Sequence, residues 1–166
     1  MSAICKTCHK PKANYACGLC QDPICKTCTE FLSETFSFLK KVPVELTHSA
    51  YCTQCFDDNV RTPLDAYNET MEAAKEIIVY SKEQSKLTRG VKRLEDPIKT
   101  ENCEDEEEAL MRMSFDAVKM NFNALIDVQF KTNKIIIGSH KKTMVSATAV
   151  PVTIDPNQIR GHLDPP

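Results

Sequence analysis

Eight of the nine cysteines in this 166-residue chain lie before residue 56, as four pairs of identical spacing: Cys5/Cys8, Cys17/Cys20, Cys25/Cys28 and Cys52/Cys55. Two intervening residues let a chain turn so that both sulfurs face one ion about 2.3 Å away. Zn²⁺ favours four ligands in structural sites, so four pairs make two closed Cys₄ sites with no open position for water or substrate. A single pair would say little; four in succession govern what residues 1–60 can become. A unit of that size buries little apolar surface and commonly needs a metal or a covalent staple. Structural zinc supplies roughly 10–16 kcal/mol per site, which decides whether such a unit folds.

The start of the chain, Met1-Ser2-Ala3-Ile4-Cys5, has neither the basic region nor the apolar run of a secretory signal. No stretch approaches the ~18 apolar residues of a membrane span. The chain therefore reads as cytoplasmic, where thiols stay reduced and cysteine sets hold metal rather than form disulfides. Its net charge is -2, and residues 1–60 carry six Lys/Arg against six Asp/Glu. That balance argues against nucleic acid and against an acidic membrane as partners. Lys6, Lys10, Lys12 and Lys26 stand within or beside the cysteine pairs and read as local compensation for the negative charge of zinc–thiolate centres.

Gaps of eight, four and twenty-three residues separate the pairs, and by themselves they leave open whether neighbouring or alternate pairs share an ion. The stretch Cys17-Gly18-Leu19-Cys20-Gln21-Asp22-Pro23-Ile24-Cys25-Lys26-Thr27-Cys28 resembles the middle of FYVE and related cross-brace, treble-clef fingers. That resemblance implies that Cys5, Cys8, Cys25 and Cys28 hold the first zinc and Cys17, Cys20, Cys52 and Cys55 the second. RING fingers have a shorter gap here and a histidine ligand, and this chain has neither. FYVE fingers also carry a basic, histidine-containing stretch that grips a lipid head group. The corresponding residues here, Ala13-Asn14-Tyr15-Ala16, carry no charge, so the likeness covers ligand spacing alone. After the third pair, Phe31, Leu32, Thr35, Phe38 and Leu39 recur at helical intervals and predict a helix limited by Pro43, its aromatic face turned to the core. His48 is a surplus donor, since eight cysteines already fill two sites.

Thr62-Pro63-Leu64-Asp65 predicts a helix start, a hydroxyl cap followed by proline, for a linker helix over 61–75 carrying Leu64, Tyr67, Met71 and Ala74. A strand over 76–80 and a short one over 91–94 are expected around a polar stretch broken by Gly90 and Pro97. Asp105-Glu106-Glu107-Glu108 opens the main helix, with Leu110, Met113, Ala117 and Met120 in one stripe and Phe115, Val118 and Phe122 beside it. Ala124, Ile126, Val128 and Phe130 then alternate with Leu125, Asp127, Gln129 and Lys131 as a half-buried strand. Further strands are expected over 134–137 and 143–152, around a turn at 138–141. The whole chain is thus expected to be α+β: a small two-zinc cross-brace domain (1–60), the linker helix, a domain over 76–154 with one main helix on a small, mostly antiparallel sheet, and a loose tail over 155–166.

Within the second domain, Met111-Arg112-Met113, the run Asn123-Ala124-Leu125-Ile126-Asp127-Val128 and Met144-Val145-Ser146-Ala147-Thr148-Ala149-Val150 resemble the YbjQ-like family. Ile77-Ile78-Val79-Tyr80-Ser81 followed by Val91-Lys92-Arg93-Leu94 is similar to the opening of RcsF-type envelope sensor domains. The likeness implies a scaffold that forms ring-shaped homo-oligomers. The heavy-metal-binding label that family sometimes carries finds no ligand set in residues 76–152.

Signatures of catalysis are missing: no Gly-rich phosphate loop, no nucleophile elbow and no His-Glu-x-x-His. The histidines at 9, 48, 140 and 162 follow no pattern, and the acids from Glu104 to Glu108 disfavour a thiolate at Cys103. The reading that results is a non-catalytic zinc-binding adaptor that engages a protein partner. Zinc handling or heavy-metal sensing is the alternative, ahead of lipid head-group or nucleic-acid binding by the finger.

Overall fold

The computed structural model describes residues 3–155 and 157. The expected loose tail and His162 lie almost wholly outside the described residues. Two compact units divide the chain, Met1–Glu69 and Thr70–Pro166. The chain is α+β, and the clusters of cysteine in its first unit fit a two-zinc region.

In the first unit, β1 (Tyr15–Ala16) pairs antiparallel with β2 (Pro23–Ile24), and β3 (Thr29–Phe31) pairs antiparallel with β4 (Ala50–Cys52). A helical turn, α1 (Thr53–Cys55), runs through a π-helical segment (Phe56–Val60) into α2 (Arg61–Lys75). This corrects two expectations. Residues 29–39 form no helix: β3 starts directly after Cys28, because pairing Thr29 with Cys52 is what carries the fourth cysteine pair back to the module. Phe36 is buried edge-on against Tyr67, with ring centroids 4.9 Å apart, while Phe31 stays 51% exposed. Thr62 does not start a helix either, since the helical run begins at the last cysteine pair. Pro63 has no N–H for a carbonyl one turn back, and the widened π turn lies immediately before it.

The second unit is a four-stranded sheet of order β5-β7-β8-β6: β5 (Ile78–Ser81), β6 (Ile98–Cys103), β7 (Ala124–Ile137) and β8 (His140–Val152). Only β5 and β7 run parallel. The expected strand over 91–94 is loop, and the strand lies instead just past Pro97, where a chain freed of proline can donate to a ladder. The two strands expected over 124–131 and 134–137 are one. Its partner β8 begins at His140 after a two-residue turn, Gly138-Ser139, where Gly138 has φ +61.

One helix, α3 (Glu106–Lys119), covers one face of this sheet. Asp105 caps it by accepting the Glu108 N–H (2.7 Å), and three acids in the first turn complement the helix dipole. It ends with Asn121 in the left-handed region (φ +63). The Phe122 N–H reaches the Ala117 carbonyl (2.9 Å) and the Asn121 N–H that of Val118 (2.9 Å), so the last carbonyls are satisfied.

Met113, Ala117, Leu125, Val128, Val145, Ala147, Ala149 and Cys103 form the core under α3, while Ala124, Ile126, Val152 and Ile154 pack on the opposite face. Strict alternation would have put Val128 with Ala124 and Ile126. A bulge between Ile126 and Gln129, with Asp127 at φ +53, moves it to the helix side. Phe130, expected to be half-buried, and Met120, expected in the helix stripe, are exposed. No helix among the described residues is long and apolar enough to cross a membrane.

Candidate metal centre

Local folding of the cysteine pairs follows two patterns. The first two pairs sit on matching knuckles. At Cys5 the N–H bonds the Lys10 carbonyl (2.9 Å) and its carbonyl receives the His9 N–H (2.8 Å); at Cys17 the same bonds go to Asp22 (3.0 Å) and Gln21 (2.9 Å). Both turns need a left-handed residue after the second cysteine, His9 at φ +58 and Gln21 at φ +61. Each then returns through a proline, Pro11 opposite Ile4 and Pro23 opposite Ala16. The last two pairs sit on helical turns instead, a 3₁₀ turn over Lys26–Cys28 and α1 after Cys52.

Each centre takes one pair of either kind. The sulfurs of Cys5, Cys8, Cys25 and Cys28 lie within 4.8 Å of one another, and so do those of Cys17, Cys20, Cys52 and Cys55. Each group therefore gathers alternate pairs of the series. The four-residue gap explains why. β2 carries the chain from Asp22, which is bonded to Cys17, to the open end of its hairpin, three residues or roughly 10 Å at 3.3 Å per residue, too far for Cys25 to reach the same ion.

The spacing tests the fit to a metal. Four sulfurs in a tetrahedron of radius about 2.3 Å lie roughly 3.8 Å apart. Cys8 and Cys25 are 3.6 Å apart and Cys20 and Cys52 3.9 Å, far beyond a disulfide's ~2.05 Å.

Electrostatics also favour a cation. The Cys8 N–H, helped by those of Cys25 and Thr7, holds the Cys5 thiol down to about 6. Burial pushes Cys17 up, but the N–H groups of Cys20, Cys52 and Leu19 outweigh it and bring it to about 6. The Cys28 N–H likewise lowers Cys25. Their neighbours move the other way. Cys28 is pushed up to about 12 by Cys25 and Cys8, and Cys20 to about 11, chiefly by burial. Burial and the Cys52 sulfur raise Cys55 as well. Four thiolates cannot share so small a space alone; a divalent ion removes the conflict and deprotonates all four.

Around these centres, Lys6 lies on the first knuckle but serves the second tetrad. It pairs with Asp22 (2.5 Å), its N–H bonds the Pro23 carbonyl (2.9 Å), and the charges of Cys20 and Cys52 add to the rise in its pKa that Asp22 causes. Lys10, Lys12 and Lys26 form no ion pair among the described residues. His48 joins neither tetrad and packs on Gly18, where an added Cβ would fall 2.3 Å from the His48 Cβ. Tyr51 is wholly buried; its hydroxyl accepts the His48 N–H (3.0 Å) and donates to the Glu45 carbonyl (2.7 Å), fixing the loop before β4. Sequence reasoning passed over His9, Gln21, Gly18 and Tyr51, although the repeated Cys-x₂-Cys-x₂-Pro pattern marked both knuckles. Cys103 is buried under α3, its sulfur 3.3 Å from the Thr100 hydroxyl, and belongs to neither tetrad.

Donor set and geometry together define a metal-binding protein with two four-sulfur centres. Compared with models of protein families, with curated proteins and with solved structures, the chain finds no match.

Proposed function

We propose that this is a cytoplasmic, non-catalytic zinc protein that works as a protein-interaction adaptor, its two zinc ions purely structural. The observation that carries the reading is the closure of both centres: four sulfurs each, at tetrahedral spacing, leave no coordination site for chemistry. Cys5, Cys8, Cys25 and Cys28 would hold one ion and Cys17, Cys20, Cys52 and Cys55 the other. Their interleaving supports the likeness to FYVE-type cross-brace fingers. The run of α3 into β7 and the β7–β8 hairpin supports the likeness to the YbjQ-like scaffold, and with it a homo-oligomer through the second unit.

For a recognition surface the first unit offers Tyr15 and Phe31, 37% and 51% exposed and packed edge-to-face with centroids 5.1 Å apart. Exposed aromatic side chains of this kind anchor protein interfaces. Affinity capture with the full zinc-loaded chain and with a Tyr15→Ala/Phe31→Ala variant tests the reading. The expected result is a partner retained by the first and lost by the second. Capture of none, together with a strictly monomeric chain, contradicts it.

One observation favours zinc handling as a second reading. Cys20 is exposed, so the second centre has one ligand from which exchange could begin, although Cys17 and Cys52 of the same centre are buried. Zinc that leaves only under denaturing conditions rules that reading out.

A further inference from the structure

Charge along the chain is segregated. No acidic residue stands between Asp127 and Asp155, yet Lys131, Lys134, Lys141 and Lys142 do, in a chain of net charge -2. These lysines lie where the β7–β8 hairpin leaves its sheet. β5 follows β7 no further than Val128, and β6 follows β8 no further than Val145, while β7 and β8 stay paired to Ile137↔His140. Beyond Lys134↔Thr143 the hairpin is a two-stranded ribbon whose residues are almost all exposed.

Three consecutive isoleucines form its end, and Ile136 and Ile137 are 72% and 58% exposed. Successive side chains on a strand point to opposite faces. Ile135 and Ile137 therefore share one face with Lys142 and His140, and Ile136 shares the other with Lys141. An apolar end on both faces suits a medium that surrounds it. A one-sided protein pocket or a nucleic-acid groove would leave one face in water, whereas the boundary of a bilayer covers both.

Spacing agrees with that choice. Lys141, Lys142 and Lys134 stand two to four residues behind the Gly138-Ser139 turn, about 7–13 Å at 3.3 Å per residue. Amphipathic elements sink about 5–10 Å into the boundary between head groups and acyl chains. Lysines at this distance keep their stems along the apolar layer and their ammonium groups at the phosphates. Of the four, only Lys142 is ion-paired among the described residues, to the exposed Glu104 at 2.8 Å.

We propose that the end of the β7–β8 hairpin is a membrane-surface anchor, with Ile135, Ile136 and Ile137 wedged into an anionic phospholipid bilayer and Lys134, Lys141 and Lys142 on its head groups. The overall charge balance argued against membranes because it averaged this basic ribbon with an acidic remainder. The inference stands apart from the zinc reading, since it uses only the second unit.

The chain contains no tryptophan, so Ile136→Trp places a single reporter at the wedge. With vesicles of phosphatidylcholine containing about 30% phosphatidylserine, its emission shifts to the blue and the full-length chain sediments with the lipid; pure phosphatidylcholine gives neither effect. One lysine near such a surface is worth about fivefold in partitioning, so Lys134→Glu/Lys141→Glu lowers binding at least about 25-fold. Ile136→Ser/Ile137→Ser, at exposed positions that leave the core intact, abolishes sedimentation while zinc content and circular dichroism stay unchanged. Absence of sedimentation for the unmodified chain overturns the proposal. Binding that ignores the lysines and the phosphatidylserine overturns it too, as does a blue shift without vesicles that follows self-association, or a preference for duplex DNA over vesicles.

Discussion

The two units bury their interiors by different means. Residues 76–154 are held as ordinary proteins are, by an apolar layer on each face of a sheet, with Met113, Ala117, Leu125 and Val128 under the helix and Ala124, Ile126 and Val152 opposite. The first unit has strands of only two or three residues, and several of its most buried side chains are the cysteines themselves, Cys5, Cys17 and Cys52. Such strands do not persist in water without something to hold them. One unit carries its stability within its sequence; the other, on the reading proposed above, borrows it from the ions its two cysteine groups could hold.

Metal removal probes that contrast most severely. A strong chelator is expected to abolish the fold of the first unit, with roughly 10–16 kcal/mol lost per site, while amide shifts of residues 76–154 remain dispersed in a two-dimensional NMR spectrum. Simultaneous collapse of both units would break the comparison. In the opposite direction, Leu125→Ala costs the second unit about 2–5 kcal/mol in denaturant unfolding and leaves zinc content unchanged. Next in size, Gly18→Ala forces a Cβ into His48 and destabilises the first unit by about 1–3 kcal/mol in zinc-loaded thermal melts, without touching a sulfur.

The smallest effect concerns pH. Arg93 binds Asp127 through two bonds (2.6 and 3.2 Å) and holds its carboxyl below the usual range. A depressed folded-state value means the contribution is complete above the unfolded pKa of about 3.9 and is lost as pH falls through the folded value. The second unit should therefore weaken in acid, and Asp127→Asn, which tolerates the left-handed backbone, should remove about 1 kcal/mol of that dependence. A titration of stability that is the same in both proteins contradicts the assignment.

How much of this could be read in advance depended on whether the signal was local. Cysteine spacing and the acidic helix start at Asp105–Glu108 are local, and both were legible; that Asp105 is the cap itself emerged only with the fold. The alternate sharing of pairs was implied by likeness to known fingers, and its physical cause, the reach of a two-residue strand, emerged only with the fold. The helix expected after Cys28 failed because Phe31, Leu32, Thr35 and Phe38 have helical spacing, yet β3 is set by a partner strand about twenty residues away. Val128 was assigned to the wrong face for a similar reason. Alternation assumes an unbroken ladder, and the bulge at Asp127 shows only in the pairing with β8.

Elemental analysis of the reduced, full-length chain puts the central idea at greatest risk. The account predicts two equivalents of zinc per polypeptide, falling to one in Cys25→Ser and to one in Cys52→Ser as each tetrad loses a ligand. A chain that is folded through residues 3–60 and carries one equivalent or none contradicts it.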